Sequence, residues 1–285
     1  MTSLWDQISD NASLVTLPDI YLRLKDVLDD PDSCMADVVE VVGSDPALTA
    51  RLLRIVNSAY FGLATEIDTV SRAINLLGTQ EVHDLVLAVS VAQSFSGMSP
   101  AMMDVPRFWR RSFTAAVCAK ELAKLCDVLD ADRLFVSGLL SDIGHLFLYQ
   151  YAAEQAQRAM LLASERGMPL FLVEREVLGI DYAQVGAELM RRWHLPQTLW
   201  EPTESHTEPA RSQTYALATN LVSLAVRMAH AVDRGEDAEH ALADVDAAAW
   251  KMTGLSPGRC AAILPEVSRQ VNSVVEMFLP GAKAA

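Results

Sequence analysis

Residues 45–78 read DPALTARLLRIVNSAYFGLATEIDTVSRAINLLG, and this stretch decides the fold class. Leu48, Leu52, Ile55 and Val56 fall at offsets of four, seven and eight, which is one face of a helix. Asp45-Pro46 suits its start: the carboxylate accepts from open backbone N–H groups, and proline fits the first turn. Val70, Ala73, Ile74 and Leu77 repeat the spacing, with Asp68 expected as the cap of this second helix and Gly78 as its stop. Between them lies a polar-aromatic turn, Asn57-Ser58-Ala59-Tyr60-Phe61-Gly62. Asn57 and Ser58 are expected to tie it to neighbouring backbone through side-chain hydrogen bonds, with Tyr60 and Phe61 pinning it against apolar surface. The stretch reads as a helical hairpin with a packed turn, and nothing in it calls for chemistry.

The rest of the chain carries the same texture. It has 285 residues, 51% of them apolar, which suffices for one large or two ordinary domains with packed cores. Ala and Leu are abundant, aromatics few and strand-like alternation scarce, so the expected class is all-α. Upstream, Leu17-Pro18-Asp19 opens a further helix; downstream, Thr79 is expected to cap one with Val82, Leu85, Val86 and Val89 inward. Short turns join these into one bundle lobe. Residues 94–106 change texture, with Ser-Gly, Ser-Pro and Val-Pro steps and Met98, Met102 and Met103, and read as a connector. A second lobe follows. Phe113, Ala116, Val117, Lys120 and Ala123 share a helix face, Gly179 ends a helix, and Asp181 caps the next. Glu201 to Ser212 is polar and contains proline, so a loop is expected there. Leu217–Met228, Glu239–Met252 and Pro265–Leu279 are read as three closing helices, the last with Val267, Val271, Val274, Val275 and Phe278 on one face.

Net charge is −14 and the pI about 4.8, a field that repels nucleic-acid phosphates and anionic lipid surfaces. Neither a nucleic acid nor a membrane is therefore an expected partner. Arg110-Arg111 and Arg191-Arg192 are the densest basic spots, each beside a Trp, and read as helix edges. Cys34, Cys118, Cys126 and Cys260 form no C-x-x-C unit, which fits reduced thiols in a cytoplasmic protein. No basic segment leads into an apolar run at the N-terminus, and no apolar stretch approaches the roughly 20 residues of a membrane span.

Asp45-Pro46, Leu48, Arg51-Leu52-Leu53, Asn57-Ser58-Ala59, Ile67, Val70, Ala73-Ile74 and Leu77-Gly78 together resemble the signature of the HDOD family. The likeness runs on to about His206. It implies a two-lobed helical fold in which an N-terminal lobe precedes a lobe like an HD-type phosphohydrolase without its metal site. On that basis the module spans 14–211, with lobes over 14–98 and 104–211, and residues 212–285 complete the second lobe.

An HD-type site needs His and Asp side chains converging on one or two metal ions that activate water and neutralise a phosphate. Carried over from the resemblance, the first His position falls at Arg111, whose guanidinium has no lone pair to donate. The His-Asp pair falls at Ser141-Asp142, so only the acid is kept. A further His position is Tyr182, a paired His motif reads Ser205-His206, and the final Asp appears as Val226. Arg111 is expected to pair with Asp142 and fill the vacated space. One rescue stands beside this: Asp142 and His145 lie three apart on one helical face, and with His206 they would make three ligands for Zn²⁺. The alternative is that His145 simply packs at a helix end.

These readings favour a protein that is not an enzyme, with no cofactor. The resemblance implies bacterial signal transduction, with unknown signalling proteins of two-component or cyclic-di-GMP pathways as partners. Two other classes stay open: a divergent metal-dependent phosphohydrolase or cyclic-nucleotide phosphodiesterase, and a sensor that holds a nucleotide without cleaving it.

Overall fold

The computed structural model describes residues 16–58, 61, 63, 65–95 and 103–278. Tyr60, Met98 and Met102 lie outside the described residues, as do the side chains of Val274 and Phe278. The described residues form helices and no strand, as the all-α reading requires. They divide into two compact units, one holding residues 17–95 and 265–278, the other 103–264.

The smaller unit contains α1 (Asp19–Asp29), α2 (Met35–Gly43), α3 (Pro46–Val56), α4 (Val70–Leu77) and α5 (Thr79–Ser94). Asp45 caps α3 as expected, its Oδ1 accepting from the N–H groups of Ala47 at 2.8 Å and Leu48 at 3.0 Å. Leu48, Leu52, Ile55 and Val56 are buried, so the face read from their spacing is the core face. Asn57 closes the turn that follows. Its Nδ2 donates to the carbonyls of Leu53 at 2.8 Å and Ile67 at 2.7 Å, and its Oδ1 accepts from the Ile67 N–H at 2.7 Å. One side-chain amide thus pins backbone ten residues away.

Two caps differ from expectation. Thr69, not Asp68, caps α4, its Oγ1 accepting from the Arg72 N–H at 3.3 Å. Asp68 sits one residue too early and instead pairs along the surface with the Arg72 guanidinium at 2.9 Å. Thr79 opens α5 without a side-chain cap; Gly78 takes that place with φ of 90°, a conformation that favours glycine.

The last helix corrects the expected domain plan. The helix over Leu264–Phe278 groups with the smaller unit from Pro265 onward, not with the HD-like lobe. Val267, Val271 and Val275 make its buried stripe. An amphipathic stripe states that a helix must cover a core and leaves open which one, so sequence order was the wrong guide.

In the larger unit, α6 (Val105–Leu125) packs along α7 (Ala131–Leu140) and α13 (Ala216–Arg234). The α6–α7 contact is close because position 138 is glycine: a Cβ there would lie 2.7 Å from the Ala115 carbonyl oxygen. Then come α8 (Ile143–Tyr151), α9 (Ala153–Arg166), α10 (Leu170–Leu178), α11 (Tyr182–Arg192) and α12 (Gln197–Ser205). Asp181 caps α11 in a reciprocal box with Gln184, at 2.8 and 3.1 Å.

The expected loop over Glu201 to Ser212 is in its first half the end of α12, with Pro202 inside the helix. Its polar residues are buried because they organise the chain beyond. Glu201 Oε1 accepts from the backbone N–H groups of Gln213, Thr214 and Tyr215 and from the Ser212 hydroxyl. Burial alone would raise the Glu201 carboxyl, but those donors outweigh it and hold the pKa at about 2. The expected helix Glu239–Met252 is instead two short ones, α14 (Ala238–Ala241) and α15 (Ala247–Thr253), the second capped by Asp246. The unit ends with α16 (Pro257–Ala261). No described helix is long and apolar enough to cross a membrane.

Candidate functional site

Helices α6, α8, α9, α10, α11 and α13 of the larger unit, with α14 (Ala238–Ala241), line a cavity of roughly 610 Å³. Arg111 enters from α6, His145 and Tyr149 from α8, Tyr182 from the first position of α11, His206 from just after α12, and Val226 and His230 from α13. The depth of the approach rests on Gly144, where a Cβ would lie 1.9 Å from the Tyr182 carbonyl oxygen. Only a glycine lets α8 come that near to α11.

Asp142, at the junction of α7 and α8, contacts this wall and is buried. Its Oδ2 lies 3.3 Å from Arg111 Nε and 2.9 Å from His230 Nε2. Arg111 also approaches Asp233, at 3.8 Å. Burial works against ionising Asp142, but His230 and Arg111 outweigh it and hold the carboxyl well below the usual range. The ion pair expected from sequence is therefore present, with an imidazole added.

A second network adjoins the first. His206 Nδ1 lies 2.6 Å from the Thr203 carbonyl and so carries the proton; its Nε2 then accepts from the Tyr182 hydroxyl at 3.1 Å. Burial keeps His206 neutral and pushes the Tyr182 phenol well up, so both stay in the forms this geometry requires. The Tyr182 ring stacks on His145, with centroids 3.9 Å apart and planes at 20°.

Glu174, on α10, is the least expected group. It is fully buried, and its Oε2 accepts from the Tyr182 N–H at 2.9 Å. Burial pushes its pKa up to about 8, so it holds a proton at neutral pH. Its Oε1 lies 3.7 Å from His145 Nδ1. Burial, with the charge on Arg111 adding and Asp142 opposing, takes His145 down to about 3. Arg111 Nε, Asp142 Oδ1, His145 Nδ1 and Glu174 Oε1 have no hydrogen-bond partner within the protein.

Of the positions carried over from the resemblance, Arg111, Tyr182, His206 and Val226 line one cavity, and Asp142 is buried beside it against Arg111 and His230. Ser141 does not: its hydroxyl donates to the Gly138 carbonyl at 2.8 Å, back into its own helix. The proposed trio of Asp142, His145 and His206 does not form a metal site. Both His206 nitrogens are engaged, and among the described residues no group of three or more His, Cys, Asp or Glu is disposed to hold a metal. The residues present do not fit the metals of an HD-type centre, and Arg111 brings a fixed positive charge to the place where they would sit.

A family model for the HDOD domain matches residues 14–209. The chain belongs to the HDOD family. Among solved structures it is similar to a protein of Shewanella amazonensis SB2B named "Putative phosphohydrolase", at 26% identity and TM-score 0.78, covering 95% of this chain and 98% of that one. It is also similar to an HDOD domain protein with unknown function from Geobacter sulfurreducens, at 21% identity and TM-score 0.77, covering 96% and 98%. A third is named "Putative signal transduction protein", from Marinobacter aquaeolei VT8, at 21% identity and TM-score 0.73, covering 98% of this chain and 62% of that one. These last two likenesses speak for the fold. A curated relative, an uncharacterized protein of Treponema pallidum, is 25% identical over 206 residues. That match takes in 72% of this chain and 39% of the relative's length.

The HDOD match stops before α13, yet α13 supplies Val226, Arg227, His230 and Arg234 to the cavity. His230 and Glu174 were missed in the sequence. His230 stands four residues after Val226, hence on the same helical face, one turn beyond the position where an acid was sought. Glu174 stands midway between Leu170 and Leu178 at intervals of four, an acid within an apolar stripe, and that was its signal.

Proposed function

We propose that this HDOD protein is a non-catalytic module of bacterial signal transduction that acts by binding a partner protein or a small ligand. One observation carries the reading. Where an HD-type enzyme needs free lone pairs aimed at a metal, this chain has Arg111 paired with Asp142, and His206 held at both nitrogens. A guanidinium in that place repels a divalent cation, and a neutral His206 with no open nitrogen cannot ligate one. Family membership and a fold shared with a protein named for signal transduction support the signalling context.

The competing reading, a divergent phosphohydrolase, is favoured by the name of the Shewanella neighbour and by the retained Asp142. Turnover of bis(4-nitrophenyl) phosphate with added Mn²⁺ separates the two. Equal, background-level rates are expected for wild type and Asp142→Ala; turnover that vanishes with Asp142 would reverse the assignment.

A further inference from the structure

The geometry points to a specific class of ligand for this cavity: a small aromatic phosphomonoester, with its phosphate against the arginines of α6 and α13 and its ring against Tyr149, Phe171 and Tyr182. The inference rests on reading the site as one that binds without cleaving.

The argument begins with size. A space of roughly 610 Å³ lies within the range of small-molecule sites and is far larger than a lone inorganic ion requires. Next comes its polarity, which is divided. Tyr149, Phe171 and Tyr182 reach it from α8, α10 and α11, whereas Arg111, Arg227 and Arg234 reach it from α6 and α13. Arg227, His230 and Arg234 are spaced by three and four residues, one stripe along α13. A ligand with a flat apolar body and an anionic end matches that division; a wholly apolar or wholly ionic one does not.

The arginines can be recruited at small cost. Arg227 now pairs with Asp244, whose side chain is 79% exposed, and Arg234 pairs with Glu236, which is about half exposed. Surface pairs of this kind contribute little, so giving them up for charge-assisted bonds to a phosphate costs little. Glu236 and Asp244 also stand at the cavity, and they are the groups that must turn outward on binding. Arg111 keeps its ion pair with buried Asp142, Nε to Oδ2 at 3.3 Å without a hydrogen bond, and its contact to Asp233, at 3.8 Å, is too long for one as well. Its terminal nitrogens therefore remain available.

The number of cations selects the anion. Three guanidiniums exceed what one carboxylate satisfies with its two oxygens. A phosphomonoester carries close to two charges at neutral pH and three strong acceptor oxygens. The ring wall adds stacking of the kind aromatic side chains offer any flat base or phenyl group.

Calorimetry on the full chain with AMP, phenyl phosphate, adenosine and inorganic phosphate tests this. Both phosphomonoesters should bind at least tenfold more tightly than adenosine or phosphate. Arg227→Gln and Phe171→Ala should each weaken AMP binding at least tenfold with an unchanged circular-dichroism spectrum. The inference is overturned if none of the four binds at millimolar concentration, if the halves bind as well as the whole, or if neither variant matters. Phosphorus NMR of the same mixtures separates the two levels. Bound, intact AMP supports both. Release of inorganic phosphate with binding intact would sink the non-catalytic reading and leave the ligand class standing. Absence of both binding and release would sink the ligand class alone.

Discussion

The Asn57 turn and the cavity wall both use polar side chains to hold backbone that is distant in sequence, and they do it to different standards. In the turn the amide is used on both its atoms, with three bonds to Leu53 and Ile67. In the wall Asp142 Oδ1, His145 Nδ1 and Glu174 Oε1 are left over. A buried polar atom without a partner costs about 1–3 kcal/mol. The turn is therefore what a chain selected for stability looks like. The wall leaves hydrogen-bonding capacity unused by the protein itself, which is what the binding role proposed above requires.

The largest effect that sharpens this contrast comes from the backbone beneath the wall. Gly144→Ala would put a methyl 1.9 Å from the Tyr182 carbonyl oxygen, against backbone that has no rotamer to adopt. Overpacking of this sort is expected to destabilise by about 3 kcal/mol or more. Gly43→Ala, where a Cβ meets nothing within 4 Å, is the control and should change urea stability little. If the two variants melt alike, the close approach of α8 and α11 is wrong, and with it the depth of the cavity.

Next in size is the turn itself. Asn57→Ala removes three hydrogen bonds at about 1 kcal/mol each, so a loss of about 2–3 kcal/mol is expected in denaturant unfolding. A loss below about 0.5 kcal/mol would mean that water replaces the amide easily, and that the turn is no better satisfied than the wall.

How much of each region was legible follows from the range of the interactions. Asp45, Asn57, Gly78 and Asp181 act on backbone within about ten residues, and local pattern reveals such roles. Thr69 shows the limit: Asp68 and Thr69 are both good caps by type, and the boundary moved by one residue. Arg111 and Asp142 could be paired only because the family resemblance placed them together. Nothing in the sequence joins Glu201 to the backbone of residues 213–215, so a polar, proline-containing run looked like a loop although half of it is helix. The last helix fails for a related reason, since its valines specify a buried face and not its owner. Glu174 and His230 left visible marks, an acid in an apolar stripe and a histidine one turn past the expected position. Neither mark has meaning until the fold brings α10 and α13 to the same cavity.

The smallest effect concerns the leftover atoms directly. Glu174 titrates at about 8 in the folded chain against 4.5 for a free carboxyl, because burial disfavours its anion. The folded state therefore binds one more proton than the unfolded state between those values. Its contribution to stability is complete below about pH 4.5 and is lost as pH rises through about 8. His145, depressed to about 3, acts in the opposite direction, but only below its ordinary value of 6.5. The window from pH 6.5 to 8 thus isolates Glu174, where wild-type stability should fall by about 1.4 kcal/mol per pH unit on this account. Glu174→Gln keeps an oxygen for the Tyr182 N–H and turns an NH₂ toward His145 Nδ1, without a proton to lose. Its stability should be flatter across that window in urea melts, so the variant overtakes wild type at the alkaline end. Parallel slopes would mean that Glu174 is already ionised at neutral pH. The wall would then hold two carboxylates, and its electrostatics would be the reverse of those that favour an anionic ligand.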